Sequence, residues 1–325
     1  MATSTPALRS GAFDEGTRKQ RSLWADAWRR LTRNKAAVVG MFVIAFFILV
    51  AIFAPLLAPH NPVVQVPKNG LRAPVWVSDS PGLPPVPQHT FGTDTLGRDQ
   101  LSKLLYGARV SMIVGLVPTI FVVIIGVFLG LISGFSGGWL DNGIMRTTEI
   151  VASFPDLLFI ITITVALRDT AFGRAFNGLF LIFIALALLS WTGMARLVRG
   201  QVLSLKQKEF VEAARTVGTP TWKILFRHIL PNTMAPILVS VSFLIPGFIL
   251  GEAGLTFLGV GMRLSVDPSN PFPTSWGVMV QEGYNNLSSG PWLLIPPVLC
   301  IALVMLAFTF IGDGLRDALD PRETK

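Results

Sequence analysis

The chain has 325 residues, of which 51% are hydrophobic and only 14% charged, and its mean hydropathy is +0.58. A soluble domain carries about 25% charged residues, so this composition excludes an ordinary soluble enzyme and describes a polytopic membrane protein. In a soluble chain the net charge of +8 would raise nucleic acid as a partner; here the basic residues gather in two loops, the pattern of the positive-inside rule, and no nucleic acid is expected.

The tail 1–35 comes first. Leu23, Trp24, Ala27, Trp28 and Leu31 recur at helical spacing among Arg21, Arg29, Arg30 and Arg33. This predicts an amphipathic helix, either on the inner leaflet, with tryptophans at the interface and cations toward anionic headgroups of the lipid bilayer, or packed on the protein's own spans. Residues 1–20 read as disordered. The first long apolar run, 36–58, is too long for the core of a signal peptide and is expected to stay in the membrane.

Six runs approach the length that crosses about 30 Å of hydrocarbon: Ala36–Ala58, Val110–Ile132, Ile150–Leu167, Phe176–Ala195, Met234–Leu250 and Trp292–Gly312. The third has Pro155 and Asp156 near its start. With both termini in the cytoplasm, 19 of the 27 Lys/Arg fall inside and eight outside; the inverted arrangement reverses the bias and is rejected. Between the first two spans, 59–109 forms an outer loop rich in proline (Pro59, Pro62, Pro67, Pro74, Pro81, Pro84, Pro85, Pro87) and reads as extended and irregular. The remaining organisation is a core of five spans over 110–312 and a cytoplasmic C-terminus over 313–325. Cys300 is the single cysteine, so no disulfide within the chain is available. No internal repeat is visible, which removes the usual signature of a secondary transporter.

The cytoplasmic connection 196–231 carries the most information. Phe210, Ala213, Ala214 and Val217 stand at i, i+3, i+4 and i+7 and predict one helix face, with two alanines leaving room for a close approach. Glu212 lies off that stripe, free to meet a cation. Gly218 fits the position after a helix end, Thr219 reads as an N-cap and Pro220 as the first residue of a second helix. Trp222, Leu225, Phe226 and Ile229 form that helix's apolar face, Lys223 and Arg227 oppose it, and Pro231 ends it. The two halves predict a helix–glycine–helix elbow.

Glu212-Ala213-Ala214-Arg215-Thr216-Val217-Gly218, followed by Leu230-Pro231, resembles the EAA loop of bacterial ABC importer permeases, although the ending departs from the pattern around His228 and Ile229. Before the second span, Phe91-Gly92-Thr93-Asp94-Thr95-Leu96-Gly97-Arg98-Asp99 resembles the FGTDxLGRD signature of the dipeptide/oligopeptide/nickel group of these permeases. Further resemblances lie at Leu105–Arg109, Phe135–Trp139, Ala195–Gly200, Thr256–Gly259 and Gly312–Pro321, so the likeness runs from about residue 30 to 321. It points to the second of two permease subunits. Read from the residues alone, Thr93 or Asp94 caps the helix that follows, and Asp94, Arg98 and Asp99 form a small charge network or solvent-facing rim pairs of little individual worth.

The resemblance implies an all-α polytopic membrane protein with six transmembrane helices, the type I ABC importer permease fold and both termini cytoplasmic. It implies a second homologous permease subunit, one or two ABC ATPase subunits and an extracytoplasmic solute-binding protein as partners. Glu212, Ala213, Ala214, Arg215, Gly218 and Phe210 become the ATPase-coupling positions. The chain itself has no cofactor and no catalytic residue, because ATP and Mg would be bound by the ATPase subunits. No Lys follows a Gly, so the P-loop form is absent. The implied cargo is a di- or oligopeptide, with nickel chelates or glutathione as alternatives of the same type. An ion-coupled carrier would need an intramembrane acid, for which Asp156 is the one candidate; a membrane-bound enzyme lacks a nucleophile, base or metal cluster. His60, His89 and His228 all fall outside the spans. Thr119, Thr162, Thr164, Ser190, Thr192, Ser240 and Ser242 are the candidates for pore lining, or for bonding to their own helix backbones. Trp276, Glu282 and Tyr284 are candidates to meet a binding protein, or to pack within their loop.

Overall fold

In a computed structural model, residues 23–77 and 83–319 are described. The expected disorder of residues 1–20, Asp320 and Pro321, and the side chains of Leu23 and Trp24 lie outside that description. The described residues are helical with no named strand; only isolated bridges, Arg72 with Leu83 and Thr93 with Asp99, occur. The helices are α1 Leu23–Leu31, α2 Lys35–Leu57, α3 Gln100–Ser136, α4 Gly138–Ala152, α5 Asp156–Leu167, α6 Ala171–Arg174, α7 Leu179–Leu205, α8 Glu209–Thr216, α9 Thr221–Ile224, α10 Leu230–Phe257, α11 Trp276–Asn285 and α12 Ile295–Leu319. Among the described residues, five stretches are long and apolar enough to cross a membrane, and a sixth exists if α4 and α5, bent by 80° at their junction, count as one span.

Each boundary has a local cause. Asn34 caps α2 by accepting from the backbone N–H groups of Ala36 and Ala37. Asp99 caps α3 by accepting from Ser102 N at 2.8 Å, so the cap is neither Thr93 nor Asp94, and the helix that carries Leu101, Leu104 and Leu105 runs without a break into the second span. Pro155, extended at φ −63 and ψ 117, breaks the third span before Asp156. Phe176, Asn177 and Gly178 all have positive φ, and α7 begins at Leu179 rather than Phe176 because three left-handed residues in succession cannot continue a right-handed helix.

On α2, Ala37, Gly40, Ile44, Phe47, Ala51 and Ala54 are buried. Their alternating three- and four-residue steps form a single seam, packed against α3 and α12. The opposite face, with Phe42 76% and Leu56 82% exposed, is left for lipid or a neighbouring subunit. The tightest helix pair is α3 with α7. Gly126, Gly130 and Gly134 line the contact, and a Cβ on any of them would stand 2.6–2.7 Å from Met194, Ala195, Val198 or Val202. Small residues at four-residue spacing allow backbones to approach this closely, and in lipid that packing replaces the hydrophobic drive.

Two further segments pack on the rest of the chain. The tail helix α1 buries Ala27 and Leu31, and Leu31 sits in a cluster with Ala37, Leu315 and Ala318. It docks on the chain's own helices and leaves Trp28 exposed, because the small side chains at 37 and 318 open a socket for Leu31. The outer loop is irregular as expected, with one 3₁₀ turn at Pro67–Asn69, yet it packs: Ala73 sits in a cluster with Trp292 and Leu293, against Leu71 and Val77.

Candidate functional site

The elbow is built from the end of α7, α8, α9 and the start of α10. Lys206 donates to the Gly134 carbonyl at 2.9 Å, which ties the end of α7 to the end of α3. The first half, α8, buries Val211 and Ala214 in the main core. Gly218 then adopts φ +74. Its N–H donates to Arg215 O at 2.9 Å, and Thr219 N–H donates to Ala214 O at 3.0 Å. This pair of bonds is a Schellman closure, which satisfies carbonyls that the helix end would otherwise leave unpaired. Arg215 lies over the Phe135 ring at 4.9 Å, a cation–π contact that braces the elbow against the end of α3.

The anticipated stripe divides. Ala214 turns inward with Val211, whereas Phe210, Ala213 and Val217 remain exposed. Adjacent positions on a helix differ by about 100°, so the core takes one of the two alanines and leaves the other outside. Across the turn, Trp222 and Phe226 are also exposed, while Ile224, Leu225 and Ile229 are buried. The elbow therefore presents Phe210, Ala213, Val217, Trp222 and Phe226 to its surroundings. Glu212 is exposed beside them, with no ion pair among the described residues.

The second half starts one residue later than expected: Pro220 is the N-cap and Thr221 the first helical residue. Pro231 does not end the helix. A π turn over Leu225–Ile229 precedes α10, with Leu230 N–H bonded to Leu225 O. The wider turn accommodates a residue that lacks an N–H and whose ring crowds the preceding turn. Asn232 Nδ2 donates to the His228 carbonyl at 2.6 Å, so the chain runs helically through the proline. Nearby, Arg199 binds Asp141 through two bonds of 2.6 and 2.7 Å, and Ser133 donates to the same carboxylate at 2.5 Å. This junction fixes α4 to α3 and α7.

At the opposite end of α3, the FGTDTLGRD segment forms a buried charge knot. Asp94, Arg98 and Lys103 are each at most 2% exposed. Arg98 Nε donates to Asp94 at 2.6 Å and its Nη2 to Glu282 at 2.7 Å. Lys103 Nζ donates to Asp94 at 2.8 Å and also to Glu282. Two cations and two carboxylates thus alternate around a closed ring. Burial pushes the Asp94 carboxyl up, but the Lys103 ammonium and Arg98 guanidinium, with their hydrogen bonds, hold it below its ordinary value. Rim pairs exposed to water are replaced by this buried network, because the outer loop and α11 close over it. Thr93 is wholly buried and donates to Asn69 O at 2.5 Å. Gly92 and Gly97 sit where a Cβ would strike the Arg72 and Val66 carbonyls.

Asp99 leaves that ring. Its Oδ2 accepts from Ser102 N and Oγ, while its Oδ1 faces His89 Nδ1 at 2.9 Å and His60 Nδ1 at 3.7 Å. The fold thereby assembles a trio of ligand-type side chains that are well separated in sequence. Trp276 is fully buried, edge-on to Phe47 at 5.3 Å, and donates to Leu104 O. Glu282 is engaged in the knot. Of the three outer candidates, Tyr284 alone is largely exposed.

Among the pore candidates, Thr119, Thr162, Thr192 and Ser242 donate to carbonyls of their own helices. Ser190 borders a cavity of about 240 Å³ with Asp156 and Gly251, and Ser240 borders one of about 590 Å³ with Pro236, Phe243 and Arg316. Thr164 Oγ1 is buried without a bond. Sequence reading missed Glu252, because the fifth span was expected to stop at Leu250. In the structure α10 continues, and Glu252 is fully buried, accepting from Thr256 Oγ1 at 2.8 Å and Ser275 Oγ at 2.7 Å. It fastens α11 to α10, and the signal was present in the apolar run that continues through Phe257.

Residues 126–325 match the family described as binding-protein-dependent transport system inner membrane component, and residues 22–74 match the N-terminal transmembrane domain of oligopeptide transport permease C. The oligopeptide transport system permease protein OppC of Haemophilus influenzae is 42% identical over 303 residues, 93% of this chain and 90% of that protein. The dipeptide transport system permease protein DppC of Bacillus subtilis is 40% identical over 310 residues, 95% of this chain and 89% of that protein. Inward-facing structures of the MetNI methionine ABC transporter include a chain that superposes with a TM-score of 0.54 at 15% identity, covering 67% of this chain and 96% of that one; at this identity the likeness speaks for the fold.

Proposed function

The chain belongs to the inner-membrane permease components of binding-protein-dependent transport systems, and from that premise we propose that it conducts di- or oligopeptides across the membrane in partnership with a second permease. It is a multi-pass permease subunit of an ABC importer, with the all-helical fold of that class. In the proposed assembly one or two ATPase subunits bind ATP and Mg and dock on the elbow, and an extracytoplasmic binding protein delivers the peptide. Both termini and the elbow face the cytoplasm, and residues 59–99 face outward. The peptide assignment draws on what the relatives are named for.

The observation that carries the coupling role is the outward face of the elbow. Phe210, Ala213, Val217, Trp222 and Phe226 are exposed together, next to the exposed carboxylate of Glu212. Their support is rigid: a Schellman turn, two core-buried residues and the Arg215–Phe135 contact hold the face to α3 and α7. ATPase closure would push on this face and reach the spans through the close α3–α7 contact, switching access from inward to outward.

The test is mass spectrometry of the proteins that co-purify with the chain after mild detergent extraction from its native membrane. Recovery of an ATPase and a second permease is the expected result. An ATPase alone would replace the heterodimer with a homodimer. Neither, from a stable and folded sample, would overturn the reading.

A further inference from the structure

We propose that His60, His89 and Asp99 form a binding site for a divalent transition metal, Zn²⁺ in the first instance, at the outer end of α3. The ligand atoms of the three side chains lie within 4.8 Å of one another. Asp99 Oδ1 is 2.9 Å from His89 Nδ1 and 3.7 Å from His60 Nδ1. Ligand bonds to zinc of about 2.0–2.2 Å at tetrahedral angles separate neighbouring ligands by about 3.3–3.5 Å, a value that the two distances bracket. The imidazole rings are 4.8 Å apart and tilted by 44°, so both edges address one carboxylate oxygen.

The surroundings are those of a supported site. Asp99 Oδ2 is held by Ser102 N at 2.8 Å and Ser102 Oγ at 2.7 Å, which aims Oδ1 at the histidines. The same hydroxyl accepts the His60 backbone N–H at 3.1 Å. A single serine thus orients two of the three ligand-bearing residues, the role that outer partners play around metal ligands. His89 and Asp99 are buried, while the His60 side chain is 39% exposed, leaving a solvent-facing approach for the ion and for water as a further ligand. Two nitrogen donors and one carboxylate favour zinc, nickel or copper over magnesium or calcium. Binding requires His89 Nδ1 as a lone-pair donor, with the ring proton on Nε2. The bound ion would clamp the chain just beyond α2 and the middle of the outer loop onto the start of α3.

The test uses the full chain without an affinity tag, purified in detergent and stripped with EDTA, then titrated with Zn²⁺ alone by calorimetry. Metal content is read by elemental mass spectrometry after gel filtration. The wild type is expected to bind one ion per chain. His60→Ala, which removes an exposed ring, should weaken binding at least about tenfold. His89→Gln keeps a donor for Asp99 but removes the ligand nitrogen, and should weaken it similarly. His228→Ala should bind as the wild type does. Co²⁺ should give the visible absorption of a tetrahedral site, lost in His60→Ala. No stoichiometric uptake by the wild type, uptake that survives both ligand substitutions, or equal loss in His228→Ala would overturn the site.

Discussion

Replacing Gly218 isolates the backbone from every other contribution to the elbow. The residue holds φ +74, and a Cβ built on it meets nothing within 4 Å. A substitution therefore encounters no neighbour in this chain, and its internal cost is conformational. For an L residue the left-handed region costs roughly 1–2 kcal/mol, least for Asn and most for a β-branched side chain. That corresponds to roughly a 5–30-fold change in an equilibrium, here between the closed elbow and one in which the bonds from Gly218 N to Arg215 O and from Thr219 N to Ala214 O have opened. Val211 and Ala214 stay anchored in the core, so membrane insertion should survive. Binding-protein-dependent peptide uptake, normalised to the amount of permease in the membrane, should then rank Gly218→Asn near wild type, Gly218→Ala lower, and Gly218→Val lowest by about tenfold. Wild-type uptake by Gly218→Val would refute the reasoning. Asn worse than Ala would refute it too, because side-chain volume against a partner would then decide the outcome in place of φ.

Glu212→Lys should abolish uptake at unchanged membrane levels, since it reverses an exposed acid beside the elbow's apolar face; normal uptake would remove Glu212 from the coupling surface. Glu282→Gln leaves two buried cations facing one carboxylate in the outer knot and should lower stability by on the order of 3 kcal/mol, read as thermal unfolding in detergent. Asp94 has its folded-state value depressed, so its stabilisation is present above the ordinary aspartate value of about 3.9 and is lost as pH falls through the lower folded value. The stability gap between wild type and Asp94→Asn should accordingly stay constant from pH 8 to about 5 and narrow only below about 4; a gap that closes near neutrality would contradict the knot. Asp141→Asn weakens a two-bond contact with Arg199 and should cost about 1–3 kcal/mol, with Arg199→Lys costing nearly as much because the paired geometry is lost.

Long-range apolarity and charge bias were legible in the linear sequence because they are sums over many residues. The spans, the helix–glycine–helix form of the elbow and the left-handed Gly218 follow from composition and short spacing alone. Boundaries were less legible where a backbone choice depends on a neighbour. Pro231 reads as a stop, but a π turn and the Asn232 side chain carry the helix through it. Glu252 reads as lying beyond a span, but Thr256 and Ser275 satisfy one of its oxygens and keep it inside. Phe210, Ala213, Ala214 and Val217 read as one stripe, and only the position of the core decides that Ala214 turns inward.

Tertiary structure alone decided what the polar groups of the outer segment do. Asp94, Arg98 and Asp99 lie close together in sequence and invite a single local network. The fold divides them, sending Asp94 and Arg98 to Lys103 and to the distant Glu282, and Asp99 to His60 and His89. Apolar runs specify helices in lipid because every backbone group must find its partner within the segment, and that requirement is written locally. A buried charge must instead find an opposite charge wherever the chain returns, and that place is set by how α3, α11 and the outer loop pack.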